Sequence, residues 1–122
     1  MPDLRQQRRF PTHFLATWES AGSCKSGDGI VENIGMGGCK IRTPAPTDVG
    51  VELVLTLFLP RHGLLGVQGI VRWQVGYDMG LEFIRLEPAQ LQQLHRFLAA
   101  LSLRRAEPIP AVRERSETSP PA

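Results

Sequence analysis

Three arginines crowd five consecutive residues near the start of the chain: Arg5, Arg8 and Arg9 in "RQQRR". Arg5 and Arg9 are four residues apart. That offset puts them on one face whether the segment is helical or extended, because four is close to one helical turn and is also even. Two guanidiniums on one face can grip a phosphate, or the O6/N7 edge of a guanine, with paired hydrogen bonds. Arginine suits this better than lysine because its fork is planar and its charge permanent. Taken alone, the cluster also reads as a solvated basic terminus.

A second candidate is "ENIGMGGCKI", Glu32 to Ile41. Asn33 accepts turn geometry and offers a side-chain amide that both donates and accepts. Gly35, Gly37 and Gly38 strip side chains from the main chain, so a flat or charged group could approach it, and successive N–H groups can cup an anion. The plainer reading is a strand-to-strand turn or bulge that needs positive φ. The third candidate is Trp73, in a strand among small and β-branched neighbours. It is either a core tryptophan or a platform on which a base can stack.

Catalysis finds little support. His13, His62 and His95 fall in a strand, a turn and a helix, and none has a second ligand at metal-binding spacing. No serine sits in a nucleophile elbow. The glycine run lacks the lysine and the strand-to-helix setting of a phosphate loop. Cys24 and Cys39 form no C-x-x-C pair and read as thiols in a reducing compartment.

At 122 residues the chain predicts one domain with its own core. Hydrophobic residues make up 42% and charged residues 21%, ordinary for a globular protein. No run of about 18 apolar residues is available to span a membrane. The basic start from Met1 to Arg9 lacks the apolar core of a secretory signal, so the expected location is the cytoplasm. Net charge is only +2. A local cationic cluster on a nearly neutral body points to a small anionic partner rather than to a long nucleic acid.

The elements that must hold these residues are strands. In "VELVLTLFL", Val51, Leu53, Leu55, Leu57 and Leu59 alternate onto one face. "GVQGIVRWQVG" puts Val67, Val71, Trp73 and Val75 on one face. "YDMGLEFIRL" groups Met79, Leu81 and Phe83, and Phe14, Ala16 and Trp18 alternate earlier. "GDGIVEN" and "GCKIRT" form two short strands joined by the glycine run. "PAPTDVG" reads as a connection and "PRHG" as a hairpin turn. About six short strands at close spacing predict an antiparallel barrel or sandwich. A helix follows from Pro88. Its stripe of Leu91, Leu94, Phe97, Leu98 and Leu101 must be buried, and Gln90, Gln92, Gln93 and Arg96 are expected to face away. The proline-rich "EPIPAVRERSETSPPA" cannot repay its ordering entropy. The expected organisation is a flexible basic leader over 1–12, a barrel with its helix over 13–103, and a disordered tail over 104–122.

Together these residues resemble a PilZ domain, the bacterial cyclic di-GMP receptor module. The likeness runs from about Arg5 to Leu101: the arginine lead ending in "RRFP", the "NIGMGG" turn, the "GVQGIVRW" and "GLEF" strands and the closing helix. It implies a six-stranded antiparallel β-barrel with a C-terminal helix. It also implies an R-x-x-x-R motif and a [D/N]-x-S-x-x-G motif. Asn33 and Gly38 match the second, and Gly35 replaces its serine, which removes one hydroxyl contact worth about 0.5–1.5 kcal/mol. The first fits as Arg5 with Arg9. A second register pairs Arg8 with Thr12 and lacks the second arginine. A tryptophan placed like Trp73 stacks on guanine in some members.

The resemblance therefore implies a cytoplasmic, non-enzymatic receptor for cyclic di-GMP. It needs no cofactor or metal and uses Arg5, Arg8, Arg9, Asn33, Gly35, Gly38 and Trp73. Its leader would order over the ligand and change the surface shown to a downstream protein, with no DNA or RNA partner and no membrane insertion. The rival is a degenerate PilZ domain that binds no nucleotide and works as a protein-interaction adaptor in motility or pilus regulation. A barrel for single-stranded nucleic acid would want more exposed aromatics than five phenylalanines, two tryptophans and one tyrosine supply.

Overall fold

The computed structural model describes residues 8–106. Six strands and one helix follow in order: β1 (Phe10–Ser20), β2 (Ser26–Ile34), β3 (Gly38–Arg42), β4 (Glu52–Leu59), β5 (Gly63–Val75), β6 (Asp78–Ile84) and α1 (Pro88–Ala106). The strands close into an antiparallel barrel in the order β1-β2-β3-β6-β5-β4. Closure leaves no open sheet edge. The barrel starts at Phe10, so Phe10 to Thr12 belong to β1 and not to a leader. The helix likewise continues past the boundary expected at 104. Residues 1–7, Arg5 among them, and 107–122 lie outside the described residues.

Period-two patterning explains the core. Ala16 and Trp18, Leu53 to Leu59 on alternate positions, and Met79, Leu81 and Phe83 all turn inward and are buried. The helix packs on β1 and β5. Phe97 meets the Phe14 ring edge to face, with centroids 5.6 Å apart, a favoured aromatic geometry. Leu94 and Leu98 are buried beside it, whereas Leu91 is exposed, so the apolar stripe is shorter than its spacing suggests.

Two glutamines expected to face away do the opposite. Gln93 Nε2 donates to the main-chain carbonyls of His62, at 2.9 Å, and Leu64, at 2.8 Å. Gln90 Nε2 donates to the Gly66 carbonyl. These amides fasten the helix to the rim of β5 by polar bonds, which an apolar-periodicity argument does not detect.

A larger correction concerns β5. Val67 and Val71 point inward as expected, but Trp73 and Val75 do not. The register runs Val71↔Leu81 and then Trp73↔Gly80, so two residues of β5 oppose one step of β6. The extra residue is Arg72, and the bulge reverses the inside-outside phase beyond it. Arg72 and Trp73 consequently both lie exposed.

Candidate functional site

Asn33 is the penultimate residue of β2, opposite Pro11 of β1. Its Oδ1 accepts a 2.8 Å hydrogen bond from Arg9 Nη1. The leader arginine and the asparagine of the glycine run, distant in sequence, are thus one unit at one end of the barrel. The neighbouring Arg8 is used differently. Its guanidinium carbon lies 4.9 Å from the centre of the Phe10 ring, a cation–π contact. Extended residues alternate faces, so Arg8 goes with Phe10 and Arg9 goes with Asn33.

Gly35 and Gly38 are bare for close approach and not for backbone freedom. Neither Gly35 nor Gly38 has positive φ. A Cβ on Gly35 would collide with the Arg8 carbonyl oxygen, and one on Gly38 with the Leu81 carbonyl oxygen. Gly35 therefore lets the leader's main chain lie on the turn, and Gly38 lets β3 press against β6. The turn itself is closed by a 2.9 Å bond from Gly35 N–H to the Gly38 carbonyl. Phe83 N–H donates to the Gly37 carbonyl at 2.9 Å.

Beside this turn is a cleft of about 290 Å³ lined by Arg9, Gly37, Arg72, Trp73, Gly80 and Glu82, among others. Trp73 is 42% exposed, which rules out the core reading. Its indole rests on Gly80, where any Cβ would strike it. Arg72 Nε donates to Glu82 Oε1 at 2.6 Å. Below the cleft, burial pushes the Cys39 thiol up to about 12, with the charge of Arg9 acting the other way.

Of the residues singled out from sequence, Arg9 and Trp73 line the cleft, and Asn33 joins it through its bond to Arg9. Gly38 shares the β3–β6 seam with Glu82. Gly35 carries the leader, and Arg8 contributes main chain there while its side chain covers Phe10. Arg72, Gly80 and Glu82 were missed. The one available signal was Gly80, a glycine within a strand opposite a tryptophan, because such glycines mark a bulge or a close approach.

The described residues hold no cluster of three or more potential metal ligands, and no helix among them is long and apolar enough to cross a membrane.

A family model for the PilZ domain matches residues 3–100. This chain belongs to the PilZ domain family. Solved PilZ structures share its fold. The PilZ domain of CeSA from a cellulose-synthesizing bacterium superimposes with a TM-score of 0.65 at 15% identity, covering 78% of this chain and 98% of that one. The PilZ domain of Escherichia coli YcgR, solved with c-di-GMP, gives 0.66 at 11% identity, covering 80% and 91%. The K. pneumonia MrkH–c-di-GMP complex gives 0.70 at 17% identity, covering 80% of this chain and 52% of MrkH. This PilZ domain thus spans about half of the MrkH chain and nearly the whole of the first two. No curated protein matches it by sequence.

Proposed function

We propose that this PilZ domain is a receptor for cyclic di-GMP and that the dinucleotide seats between Arg9 and Trp73. The observation that carries the reading is the convergence of a pre-aimed guanidinium, an exposed indole face and a side-chain-free turn on one cleft. YcgR and MrkH, PilZ proteins solved with c-di-GMP, support the ligand class.

Each part has a chemical task. The bond to Asn33 spends one of the five guanidinium donors of Arg9, leaving others to pair with a phosphate or a guanine edge. The indole of Trp73 offers a flat face for a purine. Arg5 would add a second cation from the leader, and Arg8 enters only through its main chain in the present arrangement. Binding would move the leader and alter the surface shown to a protein partner. We expect a cytoplasmic, non-enzymatic module.

The adaptor reading is favoured by one observation. The leader already lies on Gly35, where the family's serine would not fit beneath it. Titration calorimetry with cyclic di-GMP separates the two readings. Saturable heat at low to middle micromolar ligand supports the receptor, and no heat with folded protein supports the adaptor.

A further inference from the structure

The structure assigns Arg72 as a specificity-determining residue that reads the guanine edge of a base stacked on Trp73, an inference that rests on the proposal of a cyclic di-GMP site. Arg72 belongs to neither arginine of the leader motif. It shares the cleft with Trp73 because the β5 bulge turns Trp73 outward, onto the face that Arg72 occupies by ordinary alternation after the buried Val71. A regular strand would have sent one of the two inward.

Glu82 holds it in position. The 2.6 Å bond uses Arg72 Nε, one of five donors, so the guanidinium can still present two parallel N–H groups to a second acceptor pair. Glu82 sits next to Leu81 and Phe83, both buried. Its backbone therefore belongs to the wall of the barrel, and its half-exposed carboxylate orients the arginine from that wall. Guanine offers two acceptors, O6 and N7, on one edge, whereas adenine offers N7 beside an amino donor. A guanidinium fork beside the stacking platform matches the first pattern and opposes the second. It selects guanine over adenine by hydrogen-bond polarity, not by charge.

The test compares cyclic di-GMP with cyclic di-AMP, two ligands of equal charge, by calorimetry on wild-type protein and on Arg72→Ala, Arg72→Lys and Arg42→Ala. Arg42 is the control because its side chain is as exposed, at 58%, as that of Arg72, and it lies outside the cleft. Arg72→Ala is expected to weaken cyclic di-GMP by about tenfold or more while changing cyclic di-AMP by no more than about twofold, collapsing the preference. Arg72→Lys keeps the charge and donors without the planar fork, so it should restore the guanine preference only in part. Arg42→Ala should keep both. If wild-type protein binds cyclic di-GMP and Arg72→Ala keeps the preference, or loses both ligands equally, the assignment is overturned while the receptor reading stands. If wild-type protein binds neither ligand, the receptor reading falls and takes the assignment with it.

Discussion

Arg9 and Asn33, 24 residues apart in the chain, are joined by a 2.8 Å hydrogen bond that fixes the leader to the end of β2. The guanidinium is therefore held at the cleft before any ligand arrives, which lowers the ordering cost of binding. Arg9→Ala and Asn33→Ala should each weaken cyclic di-GMP by about tenfold, and the double variant by clearly less than the product, because the two act as one unit. Arg8→Ala, whose side chain covers Phe10, should cost about threefold or less. Calorimetry on the four proteins checks the ranking. An Arg8 effect as large as that of Arg9 would contradict it.

Gly35 carries the leader's main chain, and a Cβ there meets the Arg8 carbonyl. Gly35→Ser should lift the leader while leaving the barrel intact. Trypsin cleavage after Arg8 or Arg9 should then accelerate several-fold, with the melting temperature changed by no more than about 3 °C. Unchanged cleavage would show that the leader does not rest on the turn in solution.

Gly38 differs because its neighbour, the Leu81 carbonyl, belongs to the strand pairing of the barrel. A terminal segment can move aside, but a barrel seam cannot. Gly38→Ala is expected to destabilise the fold by about 2–4 kcal/mol, read from denaturant unfolding. A loss under about 1 kcal/mol would mean the seam is softer than its geometry implies.

Cys39 is buried and Cys24 exposed. With its pKa raised to about 12 from 9.0, Cys39 stays protonated when folded and ionises sooner when unfolded. Stability from this thiol is complete below pH 9 and is lost as the pH rises from 9 towards about 12. Denaturant unfolding across that range should show the fall, and Cys39→Ala should flatten it relative to wild type. A thiol reagent at neutral pH should label one cysteine in the folded protein and both once it is unfolded.

The barrel was legible in the sequence because its information is local. Leu53 to Leu59 alternate, Met79, Leu81 and Phe83 alternate, and each run states its own inward face. Trp73 misled because a bulge is a two-strand property. Nothing in "GIVRWQV" alone says that β6 takes one step where β5 takes two. The same event hid Arg72 and Glu82, whose pairing exists only across the β5–β6 seam. Gln90 and Gln93 were misplaced for a related reason, since polar fastening leaves no periodic trace. Asn33 and Arg9 could be named from residue type and spacing. The reason for Gly35 could not, because it depends on where Arg8 passes overhead.

The central claim is that the ligand stacks on Trp73 in the cleft that Arg9 lines. Trp18 is buried, at 2% exposure, and Trp73 is exposed, so the two indoles report separately. The decisive measurement is tryptophan emission during titration with cyclic di-GMP, in wild-type protein and in Trp73→Phe. Saturable quenching of the solvent-exposed component in wild type, absent in the variant, is the predicted result. Binding detected by calorimetry with Trp73 emission unchanged would contradict it and put the dinucleotide elsewhere on the barrel.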